Sequence, residues 1–362
     1  MNRIGKLLLL GAGAAAAAGA LNLSSSRNQS RRSSRVPVKT GICLAERPLI
    51  GGVHQYVQLR GQDRRNPVLL YIHGGPGEAM SAISHSYQKD WESFFTVALY
   101  DQRGCGLSEK SRGSLHIDDF VMDLREVADY IHTVLPGVPI VLFGQSWGTV
   151  IGTQAALRYP DAFAAYIGTG QVVDVAATFS EAFRHAEECA AEAHDEKLQK
   201  ALKQAEQKGD RRFFSSAYAM AKARYGFTSV RFRTAPQLLK LMIGAAVSCP
   251  DLPLDQALHS GLGSLAMSRQ YREFILSDEF MKFSLDQLGS EYRIPFFLIE
   301  GDNDWQAPYP LARAYFDRIG APDKQWYTLE GSGHMVQFDN LPQLTQILRR
   351  IRDHLAAGGT QE

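Results

Sequence analysis

The apolar run Pro139-Ile140-Val141-Leu142-Phe143 leads directly into Gly144-Gln145-Ser146-Trp147-Gly148, and a helix-forming stretch, Thr149 to Tyr159, follows at once. That order describes a strand turning sharply into a helix around a single serine. The two glycines are what such a corner demands, because there is no room for Cβ atoms beside it. Ser146 is therefore expected at the exposed tip of the turn, with a helix N-terminus behind it to favour a developing negative charge.

The rest of the chain supplies a sheet for this corner. From Val36 onward, short β-branched or aromatic runs alternate with helical patterns, the mark of a mainly parallel sheet with helices on both faces. Expected strands are Gly52 to Arg60, Val68 to His73, Phe95 to Tyr100, Ile140 to Phe143, Ala165 to Gly168, Phe296 to Glu300 and Gln325 to Leu329. Ile117 to Val134 carries apolar residues at helical spacing, with Asp118 and Asp119 in its first turn. Between about Val172 and Glu291 only helical stretches occur, such as Thr178 to Lys208 and Gln237 to Val247, and alternation resumes at Ile294. The expected organisation is a core of residues 36–171 and 292–362, interrupted by a helical cap of residues 172–291.

A chain of 362 residues has room for one large domain with such an insertion. Its formal net charge of +1 gives no reason to expect nucleic acid as a partner. Cys43, Cys105, Cys189 and Cys249 are scattered without metal-binding or redox spacing, and no HExxH, calcium-loop or phosphate-loop pattern is present. Neither a metal nor another cofactor is called for. Residues 1–35 stand apart. Arg3 and Lys6 precede the apolar stretch Leu7 to Leu23, and a Ser/Arg-rich linker follows. This reads as a secretory signal peptide or an uncleaved membrane anchor; the absence of acidic residues before Glu46 keeps an organellar transit peptide as the alternative.

A serine hydroxyl needs a base to take its proton and a carboxylate to orient that base. Asp304 follows the expected strand ending at Glu300, and His334 follows the last one, in Gly331-Ser332-Gly333-His334. Serine, acid and histidine in this order, each at the C-terminal edge of a strand, follow the α/β-hydrolase arrangement. Asp302 competes with Asp304, which is preferred because it lies deeper in the loop before Pro308. The charge built on a substrate oxygen would be met by the backbone N–H of Trp147 and by that of Gly75, with Gly74 as the alternative, in the loop His73-Gly74-Gly75-Pro76-Gly77.

Taken together, His73 to Gly77, the run Tyr100-Asp101-Gln102-Arg103-Gly104-Cys105-Gly106-Leu107-Ser108 and Gly144 to Gly148 resemble the proline iminopeptidase branch of the α/β-hydrolases. The resemblance covers roughly Val36 to Tyr166 and Ile294 to Leu355. It implies an α/β-hydrolase fold with a mostly parallel, eight-stranded type of sheet, a helical cap, and a turn from Asp101 to Ser108 that helps to shape the site. It also implies release of N-terminal residues, proline preferred, from short peptides or amides. Recognition of a free α-ammonium calls for a carboxylate close to the scissile bond. Relatives supply it from cap helices, where Glu181, Glu187, Glu188, Glu192 and Asp195 are available here; Glu181 and Glu188, with Gly74, are the expected substrate contacts. An esterase or lipase-like enzyme acting on small esters is the alternative with the same triad, and a non-catalytic binding protein on this scaffold is the alternative of another class.

Overall fold

The computed structural model describes residues 25–209, 215–263 and 267–358. Eight strands form its main sheet: β1 (Ile42–Glu46), β2 (Val57–Gly61), β3 (Val68–Ile72), β4 (Thr96–Tyr100), β5 (Ile140–Gln145), β6 (Ala165–Thr169), β7 (Phe296–Gly301) and β8 (Lys324–Leu329). Their spatial order is β1-β2-β4-β3-β5-β6-β7-β8. β2 runs antiparallel to both of its neighbours, and every pairing from β4 to β8 is parallel. The chain winds outward in opposite directions on either side of β3 and β5. A crevice therefore opens beyond their carboxyl ends, the usual place for a ligand in such a sheet.

Strands β2 to β7 are buried along their whole length because both faces are covered. Leu70, Ile72, Leu142 and Leu298 pack on one side with α1 (Ile117–Val134) and α2 (Trp147–Arg158). The intervening Leu69, Tyr71, Val141 and Phe297 pack on the other, against the helix Leu341–Ala356. In α1 the buried Ile117, Phe120, Val121, Leu124, Val127, Ala128 and Ile131 repeat at the spacing read from the sequence.

Between β6 and β7 the described residues form helices: α3 (Val175–Glu192), α4 (Glu196–Gln207), α5 (Ser216–Tyr225), α6 (Ala235–Ser248), α7 (Leu254–Gly263) and α8 (Arg269–Ile275), with a short turn of helix at Asp278–Met281. Helix α9 (Tyr309–Arg318) and helix α10 (Leu341–Ala356) complete the core.

Several local readings change. The expected strand from Gly52 to Arg60 is divided: Val53–His54 pairs with Leu49–Ile50 in a separate ribbon, and only Val57–Gly61 joins the sheet. Gln55 makes the break by turning inward to donate to Asp123 Oδ2 at 2.6 Å. The stretch Thr178 to Lys208 is two helices, broken where His194 takes a φ of 52° and the Asp195 carboxylate caps α4 through Leu198 N–H at 3.0 Å. Strand β1 was not anticipated, because its mixed, mostly exposed edge pattern carries little apolar signal.

The apolar stretch Leu7 to Leu23, and with it the expected leader or anchor, lies outside the described residues. Among the described residues no helix is long and apolar enough to cross a membrane. Residues 25–33, which the sequence reading set aside as linker, are helical. Arg27 Nη1 donates to Val247 O at 3.1 Å and Arg31 Nε to Pro250 O at 3.2 Å, tying this segment to the end of α6.

Candidate active site

Ser146 stands at the junction of β5 and α2 with φ 53° and ψ −121°, a conformation that L-residues rarely adopt. The corner is tight for an identifiable reason. A Cβ on Gly148 would lie 2.0 Å from Ile72 O, and one on Gly144 would lie 2.8 Å from Gly148 O. Ser146 N–H donates to Thr169 O at 2.9 Å, pinning the turn to the end of β6.

His334 Nδ1 is 2.7 Å from Asp304 Oδ2, and both side chains are almost completely buried. The other carboxylate oxygen of Asp304 accepts from Gln306 N at 2.8 Å and Ala307 N at 2.9 Å. The carboxylate is thus held from behind while it faces the imidazole. His334 Nε2 is buried with no hydrogen-bond partner among the described residues, Ser146 Oγ included. Gly170 packs so closely on the ring that a Cβ there would sit 2.6 Å from His334 Cε1. Asp302 is exposed and accepts from Ser332 N at 3.2 Å, bracing the histidine loop from outside.

The loop after β3 passes beside the elbow, with the Cβ position of Gly74 3.2 Å from Ser146 Cβ. Gln102 joins the two pieces: its amide donates to His73 O at 2.9 Å, and its carbonyl accepts from Trp147 Nε1 at 2.9 Å. Asp101 anchors the same turn through Ser81 Oγ at 2.7 Å and Leu107 N at 3.0 Å. Arg103 binds Asp123 through two nitrogens, at 2.7 and 2.6 Å. The turn that the resemblance assigned to shaping the site is a buried brace between the Gly/Pro loop and the corner carrying Ser146.

His73 sits fully buried in that brace. Its Nε2 accepts from Gln102 N at 3.0 Å, and its Nδ1 donates to Gly74 O at 2.8 Å. A second ring proton would point at an N–H, and burial lowers the His73 pKa from 6.5 to about 4. The unfolded chain takes up this proton first, so His73 contributes stability at neutral pH that is lost as pH falls from 6.5 towards 4. The expected size is about 1.4 kcal/mol per pH unit. Asp101 has the opposite sign between its ordinary 3.8 and its buried value of about 6, so its stabilisation grows as pH falls. Urea midpoints of wild type and His73→Asn at pH 7 and 4.5 isolate the histidine: the variant should lose less stability on acidification.

Ser146 lies at the neck between two lobes of one cleft. The first, about 150 Å³, is apolar, with Val150, Val175, Phe179, Met267, Ile275 and Phe280 among its walls. The second and more polar, about 370 Å³, sets His334, Lys222, Arg233, Thr228 and Gln145 among Met80, Ile83, Leu238, Met242 and Met335. Gly75, Glu78, Ser146 and Gln306 line both. Gly74 lines the polar lobe and Trp147 the apolar one. A larger cavity of about 610 Å³ lies at the opposite edge of the sheet, beside Pro67, Pro139 and Pro295 just before β3, β5 and β7, remote from this chemistry.

Glu181 and Glu188 are not at the site. Both pair with Arg184 on the outer face of α3, with side chains 33% and 48% exposed. Spacings of three and four residues favour exactly such solvated pairs, so these carboxylates are satisfied away from the cleft. The carboxylate that does line the cleft is Glu78, which the sequence reading missed although it directly follows Gly77. Burial raises its pKa, and the charges of His334 and Lys222 pull it partly back.

A family model for the alpha/beta hydrolase fold matches residues 67–341. The probable aminopeptidase YbaC of Bacillus subtilis is 28% identical over 327 residues, covering 88% of this chain and all of the relative. A proline iminopeptidase of Clostridium botulinum is 26% identical over 292 residues, with 78% and 88% covered. Among solved structures, the proline iminopeptidase of Mycobacterium smegmatis superposes with a TM-score of 0.64 at 19% identity, covering 88% of this chain and all of that one. With the sheet order, the corner at Ser146 and these matches in hand, the chain belongs to the alpha/beta hydrolase fold family, in its proline iminopeptidase-like branch.

Proposed function

We propose that this chain is a serine hydrolase that releases an N-terminal residue, proline preferred, from short peptides or amides. The observation that carries the reading is the buried pair of His334 Nδ1 and Asp304 Oδ2 at 2.7 Å, with Nε2 unpartnered in the cleft that Ser146 also lines. Ser146 Oγ attacks the carbonyl carbon as its proton passes to His334 Nε2, and Asp304 stabilises the resulting imidazolium. The N–H groups of Gly75 and Trp147 receive the oxyanion. Collapse breaks the C–N bond while Nε2 returns the proton to the departing amine. Water then attacks the acyl-enzyme, losing a proton to Nε2, and release of the free acid returns that proton to Ser146.

The apolar lobe suits the N-terminal side chain, and Glu78 at the neck suits its α-ammonium. The relatives' names, an aminopeptidase and a proline iminopeptidase, support this substrate class. The test compares a prolyl arylamide, its N-acetylated form and a short-chain p-nitrophenyl ester, with Ser146→Ala as control. Fast release from the free amine, lost on acetylation, is the expected result; ester cleavage without arylamide turnover would make this an esterase. Glu78→Gln should lower kcat/KM on the free-amine substrate by about 100-fold, the scale for removing one partner of a desolvated charge pair. An equal loss on the acetylated amide would assign Glu78 to holding the loop instead.

A further inference from the structure

The two lobes differ in charge. Among the described residues that line the apolar lobe, the one ionisable side chain is Glu78 at the shared neck. The polar lobe adds Lys222 and Arg233 to Glu78 and His334. Lys222 lies on α5 between Ala219 and Ala223, which line the same lobe, so their short side chains leave it room along that wall. Its Nζ rests 5.4 Å from the centroid of the Tyr218 ring, and burial lowers its pKa to about 8, against the pull of Glu78. Arg233, at the exposed rim, is held by its own donation to Val230 O at 3.1 Å, so the desolvated cation of the lobe is Lys222. A cation placed among protein atoms carries a desolvation cost that a polar wall alone does not require. A neutral alcohol leaving group would gain nothing from it.

If the acyl residue occupies the apolar lobe with its ammonium at Glu78, the group across the scissile bond enters the lobe holding both cations. In a short unblocked peptide that group ends in a carboxylate. We infer that the polar lobe is the leaving-group subsite and that Lys222 holds the substrate's terminal carboxylate, so that short peptides with a free C-terminus are preferred over blocked amides and esters. The inference rests on the aminopeptidase reading above and specifies its substrate class further.

The experiment measures kcat/KM of the full-length protein on prolyl-leucine, on prolyl-leucinamide and on a prolyl arylamide. Prolyl-leucine should exceed its amide by at least about 30-fold, the lower end for a desolvated charge pair. Lys222→Met should bring this acid-to-amide ratio close to one, and Lys222→Arg should restore most of it. A purely structural role would lower both substrates together and leave the ratio unchanged, so an unchanged ratio in Lys222→Met overturns the assignment. Equal rates on acid and amide in the wild type, with Ser146-dependent arylamide turnover intact, overturn the inference and leave the aminopeptidase reading standing. Absence of Ser146-dependent turnover on all three substrates removes both.

Discussion

Ser146→Ala is expected to lower kcat by about 10⁴- to 10⁶-fold, as when the nucleophile is taken from an otherwise assembled triad. Folding should be nearly unaffected, since the hydroxyl makes no contact on which the corner depends; the turn is held by Ser146 N–H on Thr169 O. The backbone supplies a second arm to the test. At φ 53° and ψ −121° any Cβ is strained, and alanine keeps that strain. Ser146→Gly removes it, and should raise stability by about 1 kcal/mol while remaining equally inactive. Thermal unfolding of the two variants beside wild type gives the comparison. A glycine variant less stable than the alanine one would refute the strain argument, and turnover by the alanine variant above background would remove Ser146 from the mechanism.

Asp304→Asn should lower kcat by about 10⁴-fold, and the reason lies in the hydrogen-bond geometry. Two backbone N–H groups, from Gln306 and Ala307, already point at Oδ1. An asparagine must keep its carbonyl oxygen there and turn its amide towards His334 Nδ1. The amide then donates, which forces the ring proton onto Nε2 and leaves no lone pair to accept the serine proton. Asp302→Asn should cost less than about tenfold, because that side chain touches the histidine loop only through Ser332 N and keeps an oxygen in the variant. The reverse ranking would exchange the two roles.

The elements that meet at the candidate site were legible because each has a local signature. A serine between glycines after an apolar run, a Gly/Pro loop after a strand, and an aspartate and a histidine beyond later strands are patterns that backbone sterics and chain order impose. Glu78 adjoins one of those patterns, but a lone glutamate carries no periodic or turn signal; only the fold shows that it lines the cleft beside Ser146. Lys222 was beyond reach for a stronger reason. Its direction depends on how α5 packs on α3 and α4, which helical spacing does not encode. The misplacement of Glu181 and Glu188 was avoidable, since Arg184 stands three residues after one and four before the other, and such spacing pairs charges on a helix surface. The Ser/Arg-rich composition of residues 25–33 carries no sign of their docking, because the partners of Arg27 and Arg31 are carbonyls more than 200 positions away.

The helical insertion is fastened to the chemistry by backbone. Phe227 O accepts from His334 N at 3.0 Å, Thr228 O accepts from Met335 N at 2.8 Å, and Asn303 Nδ2 donates to Tyr225 O at 2.9 Å. His185 of α3 stacks on Trp305, next to Asp304, with ring centroids 3.5 Å apart. Substrate range in this chain therefore cannot be retuned by trading the insertion as a detachable module. A graft that replaced α3 to α5 without carrying the Tyr225–Thr228 strip would unseat His334, the proposed general base, along with the old specificity. The workable targets for engineering are the side chains of α5 and α8 that face the lobes, altered on an otherwise intact frame.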